Sequence, residues 1–296
     1  MASPTSPTHG KLAAVYRQRP NGFKGSGLND ATWGSGFSGA SSAYYEVVIQ
    51  AEGTPDQFKW RKNGGAWTEN VNITGAAQTL DDGQTITFTA TTGHTAGDQW
   101  TIGNLKDEAC TESGTEAQIT DATKRLLNPN NPPVFTDSGG KTCELIDYTR
   151  GKADFSGNVT AVTVTGNNGF IVESGLEKVG YLMGWDFSIS LDMAEQNWCG
   201  QRWKEFLPGQ AGSSGGAEAY FIGGKSFFDS ISKGAEDRAY FLLQLFNYDP
   251  DQDQTGDHFL AWVTFNSLNV SAPVGEIVQE HLGFTLHGIP SFKANA

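Results

Sequence analysis

Runs of strictly alternating apolar and polar residues recur along this chain, and they constrain its fold more than any other feature. From Trp185 to Leu191, large apolar residues alternate with Asp and Ser, and residues 85–90 show the same period of two. Such alternation is typical of strands with one buried face. Because 37 of the 296 residues are Gly and only 18% are charged, turns are plentiful and long solvated helices few. The sequence therefore predicts a mainly β protein.

The first half of the chain divides by composition into an arm and a module. Residues 1–43 alternate Gly, Ser and Asn with single aromatics, which predicts an N-terminal arm. Residues 44–105 predict a separate small β module, in which Asn63-Gly64 marks a two-residue hairpin turn. The isolated aromatics of the arm need a surface to cover, and the candidates for contact with a neighbouring subunit are Phe23, Trp33 and Phe37.

The second half predicts a connection followed by a larger β unit. Residues 106–150 carry a proline cluster and mixed charge, which predicts a long connection. Residues 151–296 hold several alternating runs, the last of them at about 239–248, 258–270 and 276–287. Apolar residues at helical spacing, bounded by Asp192 and Pro208, predict one flanking α-helix at about 193–207, with a Gly/Ser loop after it at 212–216.

No set of residues in the sequence requires catalysis to explain it. The three Cys form no CxxC pair, the five His form no HExxH motif, and no GxSxG is present. Asp249, Asp251 and Asp253 resemble the start of an EF-hand loop, but Gln254 stands where that loop needs Gly, and Leu260 where it needs Glu. We therefore expect no enzymatic activity, no cofactor and no metal.

A carbohydrate-binding adhesin is the alternative from another functional class, and a glycan hydrolase ranks below it. Three tryptophans of the predicted module are candidates for surface or glycan-facing positions, because aromatic rings stack on sugars: Trp60, Trp67 and Trp100. With 33 acidic residues in the chain, a carboxylate pair near them carries little information about hydrolysis.

The net charge of −13 disfavours tight nucleic-acid binding, since that affinity comes from Lys and Arg releasing counterions. A surface of the same sign as phosphate instead lets DNA pass without sticking. Residues 1–11 have no apolar core typical of a signal peptide, and no stretch is long enough for a membrane span. The sequence thus predicts synthesis in a cytoplasm and no membrane partner.

Two stretches resemble proteins of phage tails. Over roughly residues 150–290, the order of alternating strands, the serine-rich strand 267–270, Pro273-Val274-Gly275-Glu276 and Phe284 before Gly288 is similar to major tail tube proteins of long-tailed (siphovirus-type) bacteriophages. GTPDQFKWRKNGG (53–65) followed by TTGHTAGDQW (91–100) looks like a small β domain inserted in phage tail components.

This resemblance implies a non-enzymatic structural virion protein, made and assembled in the host bacterial cytoplasm. It implies a β-sandwich or barrel subunit that forms six-fold rings, stacked into a tail tube through which DNA is ejected, with the 44–105 module on the tube exterior. Expected partners are further copies of the chain, the tape measure protein, the tail terminator and the distal tail protein. The terminator and distal tail proteins share the subunit fold and remain lower-ranked alternatives. The lumen candidates are Gln279, Thr285 and Glu280.

Overall fold

The computed structural model describes residues 13–17, 21–196, 205–220, 240–246, 258–271 and 279–293. These residues form nineteen strands, two short 3-10 turns at Ala122–Lys124 and Glu173–Gly175, and no α-helix. The first ten strands are β1 Ala13–Arg17, β2 Phe23–Lys24, β3 Ala31–Trp33, β4 Ala43–Ala51, β5 Gln57–Lys62, β6 Thr68–Asn72, β7 Gln78–Thr79, β8 Thr85–Phe88, β9 Gln99–Ser113 and β10 Glu116–Ile119. The others are β11 Val134–Asp137, β12 Cys143–Asp147, β13 Lys152–Phe155, β14 Val162–Phe170, β15 Glu177–Gln196, β16 Glu205–Tyr220, β17 Phe241–Phe246, β18 His258–Ser271 and β19 Gln279–Lys293. The predicted mainly β fold is confirmed.

The chain divides into two compact units. One consists of residues Met1–Val15 and Val179–Ala296, and the other of residues Tyr16–Lys178. We call them the barrel unit and the sheet unit.

The barrel unit is a closed barrel with strand order β1-β15-β16-β19-β18-β17. The pairings that join β15, β16, β19, β18 and β17 in this order are all antiparallel. Alternate residues of the strands point inward and form one apolar core, which consists of Ala217, Phe241, Leu243, Leu245, Ala261, Val263, Leu282, Phe284 and Leu286. The alternation seen in the sequence is therefore the alternation between the barrel interior and its outer surface.

The prediction of a flanking α-helix at about 193–207 is wrong for the residues of that segment that the structure describes. Residues 193–196 end β15 and residues 205–207 begin β16, and the two segments pair with each other, with Gln196 opposite Glu205 and Ala194 opposite Leu207. Residues 197–204 lie outside the described part of the chain. Helical spacing of a few apolar residues was the misleading signal, since strand pairing overrides a weak local preference.

The Gly/Ser segment 212–216, predicted as a loop, is also part of β16. Gly215 explains why glycine belongs in this strand. A Cβ atom at Gly215 would lie 2.3 Å from the carbonyl oxygen of Asp186 and 2.6 Å from the Phe284 ring. The missing side chain thus lets the Phe284 ring pack against the backbone of β16.

The sheet unit is organised around β9. Its large sheet has the order β12-β13-β10-β9-β4-β5-β6, and β14 and β2 also pair with β9; a second sheet has the order β3-β8-β7. Three apolar clusters of described residues fill the unit. One surrounds Leu105, Leu127 and Phe170, another surrounds Phe58, Phe88 and Trp100, and a smaller one surrounds Tyr45.

Several strands of the sheet unit lie in, or run across, the segments that were predicted from composition. β9 runs from Gln99 to Ser113 without a break at residue 105, the predicted end of the module. Residues 106–150, predicted as a connection, hold the end of β9 together with β10, β11 and β12. Residues 21–43, predicted as part of an arm, contribute β2 to the large sheet and β3 to the small one. Short strands rich in Gly and polar residues carry too weak a period to be seen from sequence alone.

A fragment of residues 16–178 should therefore fold by itself. Its three apolar clusters are made within those residues, so we expect one cooperative thermal transition by circular dichroism. A fragment of residues 44–105 lacks Phe23 and Ala31, which are buried in the same cluster as Trp100, and should melt at a lower temperature. Equal melting temperatures for both fragments would contradict this prediction.

Candidate channel and assembly surfaces

The outward face of four neighbouring barrel strands is an unbroken polar surface, which we call the wall face. Across β15, β16, β19 and β18, the register aligns Ser188 with Ser214, Ser214 with Thr285, and Thr285 with Thr264. The next row aligns Asp186, Gly216, Gly283 and Ser267. Because inward positions of the same strands hold the apolar core, one side of this sheet is dry and the other faces water.

Among the side chains that the structure describes on the wall face, Asp186 and Glu218 are the acids, both exposed, and none is Lys or Arg. One imidazole is held by Glu218, whose Oε1 lies 3.4 Å from Nδ1 of His281. The resulting surface is polar with a weak negative charge.

Side-chain hydrogen bonds tie the wall face together across its strands. The amide of Asn266 donates to the Thr285 hydroxyl at 3.1 Å. The hydroxyl of Thr264 lies 2.8 Å from Nε2 of His287. Burial lowers the pKa of His287 below its ordinary value, which favours the uncharged imidazole at neutral pH. These contacts join β18 to β19 on the wall face.

The wall face ends beside β17. Leu242 and Trp262 are register partners there and point outward, but both side chains are fully buried. The open polar surface therefore extends from β15 to β18 and no further among the described strands.

The three lumen candidates do not share one face. Gln279 and Thr285 point outward with His281, and both are half-buried. Glu280 has the opposite parity: it is 0% exposed and lies on the inward side with Leu282 and Phe284. A period of two separates Glu280 from the other candidates, so it lies in the interior of its own barrel.

Residues 205–213 of β16 and the residues of β15 that pair with them form a two-stranded ribbon, which extends beyond the residues where β16 pairs with β19. Residues Glu205–Ser213 of β16 pair with β15, whereas pairing of β16 with β19 spans only Ser214–Tyr220. One edge of the 205–213 segment thus has no strand partner among the described residues. Ile189, on this ribbon, is 61% exposed. An unpaired edge with an exposed apolar side chain is a surface that another chain can cover.

The arm aromatics cover the core of their own chain. Phe23 is 1% exposed and lies with its ring centroid 4.9 Å from that of Trp100. Trp33 packs against the clusters of Phe58 and Tyr45, and Phe37 packs against the latter. Phe23 consequently has no exposed surface to offer a neighbouring subunit, and Trp33 and Phe37 are half-buried.

The tryptophans considered as glycan platforms lie in different environments. Trp100 is 0% exposed in the core, so it is not a surface residue; its position on the central strand β9 explains its burial. Trp60 is half-buried against Phe58 and Tyr45. Trp67 is half-buried, with Lys59 Nζ 4.8 Å and the Arg61 guanidinium carbon 4.5 Å from its ring centroid.

A buried polar triad in the sheet unit was not anticipated from the sequence. The His94 side chain is 0% exposed, and its ring nitrogens lie 3.0 Å from Asp56 Oδ2 and 2.9 Å from Asp30 Oδ1. Asp56 also accepts hydrogen bonds from the backbone N–H groups of Gly53 and His94. The triad joins three loops that are distant in sequence, which is why spacing alone could not reveal it.

Metal and membrane features are limited among the residues that the structure describes. No three or more His, Cys, Asp or Glu side chains are grouped so as to hold a metal ion. The three acids that resemble the start of an EF-hand loop, Asp249, Asp251 and Asp253, lie outside the described residues. No described helix has the length and apolar character needed to cross a bilayer.

The sequence also did not single out three features of these surfaces: the acids Asp186 and Glu218, the outward face of β15 and β16, and the ribbon. The alternation of Trp185–Leu191 could have indicated the exposed acids and the outward face, because it places Asp186 on the side of the strand opposite Trp185. The ribbon had no such signal, since the helical spacing in the same residues masked it.

Comparison with known proteins gives weak likenesses to tail and injection assemblies. No family model matches the chain, and no curated protein matches it. Among solved structures it is similar to the tail of an empty gene transfer agent particle refined with C6 helical symmetry, at 16% identity and a TM-score of 0.31, covering 40% of this chain and 87% of that one. It is similar at the same identity and TM-score to a chain of the native gene transfer agent virion, covering 40% and 89% of the two chains.

A third likeness is to the sheath–tube complex, in the extended state, of an extracellular contractile injection system of the PVC type. Identity is 14%, the TM-score is 0.31, and 38% of this chain and 80% of that chain are covered. Likenesses of this extent do not by themselves define a fold or a function for this chain.

Proposed function

We propose that this chain is a structural subunit of a phage-type tail that assembles into six-fold rings, stacked into a tail tube, with the wall face lining the DNA channel. The observation that carries the proposal is the wall face itself. It is a polar surface across four strands, backed by an apolar core, and its described side chains include the acids Asp186 and Glu218 and no Lys or Arg. The resemblance of residues 150–290 to tail tube proteins points to the same role.

The charge of the wall face suits a conduit. A basic lining would hold DNA, because every phosphate contact made by Lys or Arg releases counterions and adds affinity. Weak negative charge repels the phosphate backbone, and a six-fold ring would repeat that repulsion around the duplex. Solvent screens such charges beyond about 8 Å at physiological ionic strength, so the repulsion acts when DNA approaches the wall.

The ribbon of β15 and β16 supplies a surface for joining subunits. A two-stranded hairpin is at best marginally stable alone in water, and this one combines a free strand edge with the exposed Ile189. Docking on an adjacent copy would bury both. In this proposal the wall faces the lumen, while the ribbon connects rings.

Partners and location follow from the proposed role. The tube would enclose the tape measure protein and then the DNA, and would meet a terminator at one end and a distal tail protein at the other. Assembly would take place in the host bacterial cytoplasm and end in the virion. The module predicted at residues 44–105 would lie on the tube exterior, as the resemblance to phage tail components implies.

Negative-stain microscopy of the purified full-length chain tests the proposal. We expect tubes of constant diameter with six-fold end views. Isolated rings that never stack would indicate a terminator or a distal tail protein instead. Monomers at every concentration, with DNA and at low salt alike, would refute a self-assembling tube subunit.

Shortening the ribbon should abolish stacking and leave the fold intact. Ser190 and Gly212 are register partners, so joining them through an Asn-Gly turn removes the distal ribbon without altering the wall. We expect a soluble protein with unchanged far-ultraviolet circular dichroism and no tubes by microscopy. A matched control replaces the exposed hairpin turn Asn63-Gly64 of the sheet unit with Asp-Gly and should assemble normally. Tubes of normal length from the shortened ribbon would exclude it as the ring connector.

A further inference from the structure

A cleft of about 500 Å³ opens in the sheet unit. Three sides of it are formed by the start of β4, the end of β5 and the 3-10 turn Ala122–Lys124, and Phe170, Ile171 and Val172 are buried along its floor. Its polar lining consists of Ser42, Tyr44, Glu46, Arg61, Asn63, Asp121, Thr123, Lys124, Glu173 and Ser174. A concave site of this size, with an apolar floor and converging polar groups, has the features of small-molecule sites.

The guanidinium of Arg61 is fixed in orientation on one wall of this cleft. Its Nε donates to the carboxylate of Glu46, and its plane lies over Trp67, with Cζ 4.5 Å from the ring centroid. Glu46 has a side chain only 3% exposed and accepts a second hydrogen bond from the Ser174 hydroxyl at 2.5 Å. Burying a charged pair costs free energy and adds little stability, whereas a preorganised fork of donors is useful for recognition.

Hydrogen-bonding groups remain available around this fork. Among the described residues, no partner faces the terminal nitrogens of Arg61, the side-chain NH₂ of Asn63 or the hydroxyl of Tyr44, although the Asn63 carbonyl oxygen accepts from the Tyr44 N–H. On the acceptor side, the carboxylate of Glu173 is exposed and also has no described partner. The cleft thus presents both donors and acceptors at its mouth.

The charges of the cleft decide which class of ligand it suits. Glu46 neutralises Arg61, and Lys124 is paired with two acids, Asp121 and Glu108. One negative charge of that pair of acids and the charge of Glu173 are left uncompensated, so an anion such as a phosphate ester would be repelled. A neutral, hydroxyl-rich ligand can use donors and acceptors together and can lay an apolar sugar face on the aromatic Tyr44.

We propose that this cleft binds a neutral saccharide, with Arg61, Asn63 and Tyr44 donating to its hydroxyls and Glu173 accepting from one of them. This is a binding function beyond that of a tube subunit and does not depend on it. It also differs from the earlier idea of tryptophan platforms, since Trp100 is buried and Trp67 serves instead to hold Arg61.

Two probes test the proposal on the full-length protein. In the first, saturation-transfer difference NMR, which observes the sugar and works with large assemblies, is recorded while glucose, galactose, N-acetylglucosamine and rhamnose are added singly to high millimolar concentration. In the second, the protein is applied to a printed array of bacterial surface saccharides. We expect a saturation-transfer signal from at least one sugar, and array binding that this sugar competes away. Absence of both effects would overturn the proposal.

Three variants separate a neutral saccharide from other occupants. Arg61→Lys keeps the positive charge beside Glu46 but removes the planar fork, and should weaken binding about tenfold, the loss expected when one or two hydrogen bonds are removed. Glu173→Gln keeps an acceptor oxygen but removes the negative charge, so binding should weaken, and by less than in Arg61→Lys; complete loss would instead indicate a cationic ligand and contradict the proposal. Thr136→Ala, exposed on β11 away from the cleft, is the matched control and should bind as the parent does.

Discussion

Replacing Thr285 with Lys should turn the channel from one that DNA passes into one that retains DNA. Thr285 lies in the middle of the wall face, between Ser214 and Thr264, and each six-fold ring of the proposed tube would gain six cations there. If about six phosphates are contacted, affinity should fall by about 10³ between about 50 mM and about 200 mM salt. Preformed tubes are mixed with short labelled duplex DNA, and the bound fraction is measured by sedimentation at several salt concentrations.

The control for this variant places the same charge elsewhere. Thr136→Lys adds one cation per subunit at an exposed position of β11 in the sheet unit, so the net charge changes equally. We expect Thr136→Lys tubes to bind DNA no more tightly than parent tubes, which should bind none at physiological salt. Equal retention by the two variants would mean that the wall face is not the surface that meets DNA.

Replacing Asp56 with Ala should have the largest effect on stability. Asp56 is 1% exposed and accepts from the Gly53 N–H at 2.7 Å, the His94 N–H at 3.1 Å and the His94 ring at 3.0 Å. Its loss leaves these donors unpaired in the interior. Breaking a buried charged network by removing one partner costs about 3–5 kcal/mol. Urea unfolding of the full-length chain, followed by tryptophan fluorescence, measures this loss.

Glu144→Ala provides the matched comparison. Glu144 is an exposed acid of β12 in the same unit, so its removal changes the net charge by the same amount. Its urea midpoint should equal that of the parent. A parent-like midpoint for Asp56→Ala would show that the triad contributes nothing to stability.

The same triad gives the stability a defined pH dependence. Burial by itself would raise the pKa of Asp56, but hydrogen bonds from Gly53 and His94 outweigh it and hold the pKa below its ordinary value. A carboxyl whose folded pKa is lowered stabilises the protein fully above its unfolded pKa, which is about 3.9 for Asp. That contribution is lost as the pH falls through the lower, folded pKa. The parent should therefore lose more stability below about pH 4 than Asp56→Asn does, as measured by urea midpoints.

Sequence patterns were sufficient where a single strand or turn fixes its own conformation. Asn63 and Gly64 adopt positive φ, at 50° and 68°, as the predicted two-residue turn requires. The predicted strand at 258–270 corresponds to β18, His258–Ser271. In β19, the polar and apolar faces separate as the alternation indicates, with Leu282 and Phe284 inside and Thr285 outside.

Patterns were insufficient where a distant part of the chain decides the conformation. The predicted helix at 193–207 fails because the two arms of a ribbon satisfy each other's backbone groups, as Gln196 and Glu205 do. Burial of Trp100 depends on Phe23 and Phe88, which approach it from other strands. For the same reason, the cleft around Arg61 could not be found by spacing, since its lining comes from segments far apart in sequence.

The close approach of Gly215 to Phe284 has a consequence for how this barrel can vary among related chains. A side chain at position 215 would meet the Asp186 carbonyl and the Phe284 ring, so that position must stay Gly unless the ring opposite becomes smaller and the strand shifts. Polar residues of the wall face, such as Ser188 and Ser214, meet no comparable restriction. Distant relatives should therefore exchange their wall residues freely while positions 215 and 284 change only together, and this coupled pair would identify the barrel where overall identity has been lost.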